Sequence, residues 1–314
     1  MEEQPLFRIL VDGKYGFINN TGEFVIPPIY KMASDFSEGF AYVWSFHNKK
    51  GYINSKNEMV IELTGDHGYE GNFENGLAIV GTNGRYGCIN KTGQYVVEPI
   101  FDRIVGVNPN GTFSALINGK AGLYDLQSNA IIEPGYYDFI DAFSDGLAFV
   151  SVEGKEGYID KTGNMVISPQ FSSVSPFSEG LAGASIDGDK YGFINKLGEF
   201  VIPPKYYQVK DFSEGLAGFR LKTGGKWGYL NSLGEKVIRP KFQTVWAFVD
   251  GMAPVENKDR YGYIDKKGRY VLKNVFNTAH ELKSGLGLVT YDGEWGYIDR
   301  HGQWVYKPSH FDLW

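Results

Sequence analysis

The sequence is most informative first for what it is short of. It has a single cysteine, Cys88, so no disulfide within the chain can hold it together, and the fold must rest on a core. Lysines and arginines never run longer than a pair, and the net charge is −6. A protein whose affinity comes from neutralising phosphates carries a basic face, so nucleic acid is not the expected partner. No apolar stretch approaches the roughly 18 residues that a membrane span requires. The opening Met-Glu-Glu-Gln-Pro has neither the basic flank nor the apolar stretch of an export signal. The expected location is cytoplasmic, with no membrane partner. The five histidines, His47, His67, His280, His301 and His310, do not recur with any period, and no pair has metal-ligand spacing. Phosphate-binding glycine loops, nucleophile elbows and zinc motifs are likewise missing. No metal, cofactor or catalytic residue is implied, and the expectation is that the chain is not an enzyme.

What the chain has is glycine, 41 residues, with 22 phenylalanines and 21 tyrosines, a composition of short strands and tight turns. Segments of the form Gly-aromatic-Ile-Asn/Asp begin at Gly16, Gly51, Gly87, Gly122, Gly157, Gly192, Gly228, Gly262 and Gly296, at spacings of 34 to 36 residues. Such regularity means a structural repeat in nine copies. A period near 34 also fits helical tetratricopeptide or ankyrin arrays. Glycines and prolines in each unit, and apolar positions alternating with period 2, exclude helices.

Each unit reads as three antiparallel strands. Strand A is typified by residues 192–195 and strand B by 199–202, stopped by Pro203-Pro204, which cannot donate to a ladder. After a linker comes strand C, residues 216–221. The last residue of strand A is Asn or Asp in all nine copies, with glycine three residues later in seven. That is the type I turn preference, with the side chain capping the turn amides; calcium ligation would need a second carboxylate at ligand spacing. The linker carries Phe36-Ser37-Glu38-Gly39, Phe143-Ser144-Asp145-Gly146, Phe177-Ser178-Glu179-Gly180 and Phe212-Ser213-Glu214-Gly215. Its Phe is expected to anchor the core, its Gly to take a positive φ, and its carboxylate to join a solvated acidic row.

These residues resemble the bacterial WG-repeat proteins, whose unit runs aromatic-Gly-Tyr-Ile-Asp, Lys-Thr-Gly, Val-Ile-Pro-Pro and Phe-Ser-Glu-Gly-Leu-Ala. Tyr191-Gly192 through Ala217 follows the whole pattern in order. The literal Trp-Gly stands at Trp227-Gly228 and Trp295-Gly296; Tyr15, Tyr86, Tyr191 and Tyr261 substitute, while Lys50, Ala121 and Glu156 depart further. The resemblance implies an all-β repeat fold and little about chemistry.

A propeller blade ordinarily has four strands and about 40 residues. Three-stranded units of ~35 residues, beginning near 7, 40, 77, 113, 147, 181, 216, 252 and 286, therefore point to one domain over 1–314 built as an open β-solenoid or superhelix. A closed propeller-like ring is the alternative. An open array needs caps, and Phe311-Asp312-Leu313-Trp314 reads as an apolar plug.

Comparing the copies separates fold from function. In strand C, Val43, Val80, Val150, Phe219, Val255 and Val289 are constantly apolar, while the residues on either side vary and share the opposite face. On that face Tyr42, Trp44, Phe46, Phe149, Arg220 and Glu256 are the candidate binding residues. The leading functional expectation is a scaffold for a protein partner, in a narrower form an inhibitor or immunity protein whose acidic charge suits a basic target. The competing expectation is a carbohydrate-binding module that stacks sugars on Tyr42, Trp44, Trp246 and Trp304.

Overall fold

A computed structural model describes residues 4–64 and 67–307; for 67–70 the backbone alone is described. Gly65-Asp66, His310 and the C-terminal Phe311–Trp314 plug lie outside the described residues. The chain is all-β and divides into two compact units, Met1–Ala142 with Lys161–Gly163, and Phe143–Asp160 with Asn164–Trp314. The first unit holds one six-stranded and two four-stranded sheets; the second holds the last four four-stranded sheets and most of the one before them.

These eight sheets correct the expected architecture. Seven of them have the four strands of a β-propeller blade, not the three of the units expected for an open solenoid. The segment read as a linker is a fourth strand, D, antiparallel to strand C. In one blade the strands are D, Gln208–Ser213; C, Leu216–Arg220; A, Trp227–Asn231; and B, Lys236–Phe242, paired in that order. Elsewhere D shrinks to two residues, Phe139–Ile140, Ser173–Val174 or Thr244–Val245. It starts one residue after the preceding strand B, as at Tyr206 and Gln208. Four strands fit into 35 residues because the connection is almost nil. In the six-stranded sheet it vanishes: Phe24–Ala33 is one strand, paired to Lys14–Ile18 by one stretch and to Ala41–Ser45 by another. Nine copies therefore make eight sheets.

The prolines do not stop strand B either. Trp227 pairs with Phe242 and Tyr229 with Ile238, so three residues of strand B, Arg239-Pro240-Lys241, pass over the single Gly228. The same bulge places Pro203-Pro204 over Gly192 and Pro169 over Gly157. A bulge leaves amides out of the ladder, so proline loses nothing there. The glycine beneath has no alternative: a Cβ on Gly192 would stand 2.2 Å from the Ile202 carbonyl oxygen, and one on Gly228 2.4 Å from that of Ile238. This close approach is why glycine stands at this place in strand A.

The turns behave as the sequence predicts. Asn195 Oδ1 accepts from the amides of Leu197 (3.0 Å) and Glu199 (3.0 Å), and Asn231 and Asp265 repeat the geometry. The carboxylates of the Phe-Ser-Glu-Gly turns are a different matter, because they are not merely a solvated row. Each reaches the next copy. The Gly76 amide donates to Glu38 (3.0 Å), Gly180 to Asp145 (2.7 Å), Gly215 to Glu179 (2.9 Å) and Gly251 to Glu214 (3.0 Å). Lysines of the next copy's A–B turn close three of these carboxylates, Lys91 on Glu38 (3.1 Å), Lys196 on Asp145 (2.9 Å) and Lys266 on Glu214 (3.1 Å). The serine does the same: Ser37, Ser144, Ser178 and Ser213 hydroxyls donate to the carbonyls of Phe73, Phe177, Phe212 and Phe248 at 2.6–2.8 Å. Their spacing of 33–36 residues is one copy. The phenylalanines of these turns sit fully buried at Phe73, Phe177 and Phe248.

Two outcomes follow. Replacing Gly192 with alanine is expected to lower stability by about 1–3 kcal/mol through overpacking, read as a fall in the denaturant midpoint. For the latch, the Lys196 ammonium, against the opposing effect of burial and with help from the Gly180 amide, holds the Asp145 carboxyl below the ordinary aspartate value. A depressed folded value stabilises above the unfolded pKa, about 4, and that contribution is lost as pH falls through the folded value. Lys196→Met is expected to raise the Asp145 pKa, measured by carboxyl carbon NMR, and to start acid unfolding at higher pH.

Candidate functional site

Strand D supplies a variable column that the sequence reading passes over. Its second residue is apolar and fixed by the core, as with Ile140, Val209 and Val245. The residue that follows, inside the longer D strands and just past the end of the short ones, is free to change: Ser34, Asp141, Ser175, Lys210, Trp246 and His280. The backbone at this position is pinned while the side chain varies. The Tyr158, Tyr229 and Tyr263 hydroxyls donate to the carbonyls of Ser175, Trp246 and His280, each at 2.7 Å. Burial pushes the phenol of all three tyrosines well up from the ordinary value, so they stay protonated as donors.

The D column meets the variable face of strand C. A Cβ on Gly218 would come within 2.9 Å of Val245 and 3.4 Å of the Lys210 side chain, and one on Gly183 within 2.9 Å of Val209 and 3.3 Å of Ser175 Oγ. Glycine in strand C thus makes room for the neighbouring D strands.

In the second unit these columns build a continuous row of rings and cations. The Arg220 guanidinium lies 5.4 Å from the Tyr207 ring centre and 5.1 Å from that of Trp227. The Lys210 ammonium lies 5.5 Å from Trp227 and 5.4 Å from Trp246. Trp246 then meets Tyr261 edge-on at 5.3 Å, and Tyr261 hydrogen-bonds Glu256, its partner across the ladder. Cations over aromatic faces gain most when desolvated. Burial lowers the Lys210 pKa, opposed by Glu281 and Asp211. Glu281 itself accepts from the Ala247 amide at 3.1 Å.

Of the residues singled out from sequence, Arg220 and Glu256 lie in this row. Tyr42 is buried, 5% exposed, in a cluster with Tyr52, Ile61 and Phe73. Trp44 is half-buried, with Lys31 at 4.0 Å and Lys50 at 4.7 Å from its ring centre and its Nε1–H on Asn48. Phe46 is 56% exposed beside Lys14. Phe149 packs half-buried against the cluster of Leu147, Tyr158 and Phe177. Tyr42, Trp44 and Phe46 belong to the first unit, and Phe149 packs on a core cluster of the second. Lys210 and Tyr207 were missed because strand D read as a linker, and Trp246 was singled out only as a sugar-stacking residue. The signal was there: Tyr206, Val209 and Phe212, or Phe242, Val245 and Phe248, recur at spacings of three.

Glu156, in the place of the aromatic, accepts from the Val174 amide (2.6 Å), and burial raises its carboxyl pKa. Burial also pushes the Cys88 thiol up to about 12, the chemistry of a packed side chain rather than a nucleophile. His47, His280 and His301 are exposed. Among the described residues no group of three acidic, histidine or cysteine side chains could hold a metal.

The model of the WG containing repeat matches residues 15–43, 51–86, 86–120, 122–155, 157–189, 191–227, 227–261, 261–295 and 295–312. The chain belongs to the WG-repeat family. No curated protein matches it in sequence. Among solved structures, it is similar to a crystal structure of the eukaryotic initiation factor, at 10% identity and a TM-score of 0.70 over 99% of this chain and 100% of that one. Kluyveromyces lactis Hsv2p gives 11% identity and a TM-score of 0.46 over 75% and 92% of the two chains. BamB from Moraxella catarrhalis gives 10% and 0.44 over 92% and 94%. At these identities the first likeness is one of fold alone.

The depressed Lys210 value has a direct readout. After reductive methylation with carbon-13, the Lys210 resonance is expected to titrate at lower pH than the bulk of the lysine signals, and Trp246→Ala, by opening the site to water, to move it back upward.

Proposed function

We propose that this WG-repeat protein is a non-catalytic, cytoplasmic scaffold that binds a protein partner through the variable columns of strands C and D. The observation that carries this reading is the division of labour between backbone and side chain. Tyrosine, serine and carboxylate latches recur from copy to copy, while the positions of Lys210, Trp246, Arg220 and Glu256 carry different residues in different copies. Tryptophan, tyrosine and arginine at half-buried positions are the composition of binding hot spots. The narrower form, an inhibitor or immunity protein, draws support from the net charge of −6, which would speed encounter with a basic partner.

A glycan platform is disfavoured by a specific feature. Sugar stacking needs a free aromatic face, yet Trp44, Trp246 and Trp304 each have a lysine within 6 Å of the ring centre, and Tyr42 is buried.

A tagged full-length chain is expected to capture one stoichiometric protein from the native lysate, with capture weakened by moderate salt. Arg220→Ala and Glu256→Ala are expected to weaken capture by about tenfold each, as for central interface residues, with an unchanged circular dichroism spectrum. Absence of any stoichiometric protein, together with binding to a glycan array, would reverse the ranking.

A further inference from the structure

We propose that Lys210 and Arg220 form a carboxylate-binding site that takes an aspartate, glutamate or C-terminal carboxylate of the protein partner, between the rings of Tyr207, Trp227 and Trp246. This deepens the scaffold reading and rests on it.

The two cations share one indole, with Arg220 5.1 Å and Lys210 5.5 Å from the centre of Trp227, so a single anionic group can address both. Neither cation has its hydrogen-bonding capacity used. Among the described residues Arg220 Nε is buried without a partner, and no acceptor bonds the Lys210 ammonium. A buried donor left unpaired is costly, and a carboxylate arriving from outside would remove that cost. The guanidinium fork matches a carboxylate's two oxygens, and charge-assisted bonds of this kind are among the strongest available to side chains. Trp227, only 6% exposed, and Trp246 keep water from the site and strengthen the attraction.

The acids nearby do not fill the role. Glu281 is held by the Ala247 amide and Glu256 by Tyr261, while Asp211 is exposed and acts on Lys210 through space. Those same acids, with the net charge of −6, oppose an extended polyphosphate and leave room for one localised negative charge. A partner that is basic overall satisfies both requirements, steered by the general field and anchored by one carboxylate.

The test is an NMR titration of the full chain with nitrogen-15-labelled indoles, using N-acetyl-triglutamate amide as probe and N-acetyl-triglutamine amide as the neutral control. The Nε–H resonances of Trp227 and Trp246 are expected to shift saturably with triglutamate and not with triglutamine, while Trp295 stays in place. Lys210→Met and Arg220→Met are each expected to weaken binding about tenfold, and Arg220→Lys by less. The wild-type titration stands even if a methionine variant fails to fold. An equal response to triglutamine, affinity unchanged in both methionine variants, or a stronger response to hexathymidylate would overturn the proposal. Capture of a stoichiometric partner alongside a silent triglutamate titration would reject this site and leave the scaffold reading standing.

Discussion

Everything in this molecule depends on one close approach, the backbone of strand B lying across the bare Cα of a strand A glycine. With 2.2–2.6 Å between a hypothetical Cβ and a carbonyl oxygen at Gly16, Gly87, Gly157, Gly192, Gly228, Gly262 and Gly296, no side chain fits. The strand must bulge to make the crossing, and a bulge is where proline is tolerated. The crossing brings the chain to the start of strand D with one residue to spare. The glycine, the proline and the short repeat length are therefore one constraint seen three times.

The second tier of organisation is the reach of each copy into the next. Serine hydroxyls, carboxylates and tyrosine hydroxyls make contacts one copy away, so coupling is between neighbours, as in other repeat architectures. What these bonds fix is main chain: phenylalanine carbonyls, glycine amides and the carbonyls of strand D. Side chains between them are released from structural duty, and that release lets Lys210, Trp246 and Arg220 be what a binding role requires.

Much of the fold was legible in the sequence. The nine copies, the Asx turns at Asn195 and Asp265, and strands A and C follow from spacing and alternation alone. Strand D was not, because period 2 is the signature of a strand and Tyr206, Val209 and Phe212 recur at three. Its two-residue pairing and bulge erase the alternation. Pro203-Pro204 also misled, since proline usually ends a strand and here marks a crossing. Those two readings together made three strands out of four and hid the propeller blade. The candidate site was half legible: Arg220 and Glu256 emerged from comparing strand C across copies, while Lys210 lay in the supposed linker. Tyr42 shows the limit of the pleat rule, since the face opposite the core valines is covered in places by the neighbouring copy.

The crossing has a further consequence, for solubility. Strand B is the outer strand of each sheet and carries β-branched residues in the open, Val166 at 42%, Val201 at 47% and Val237 at 43% exposed. A flat edge of that composition would invite other chains to add on as further strands. The bulge at Pro169, Pro203-Pro204 and Pro240 breaks the row of free amides and carbonyls midway along these three edges. The kink that lets the blade be built in 35 residues also leaves those edges a poor template for a strand from another molecule.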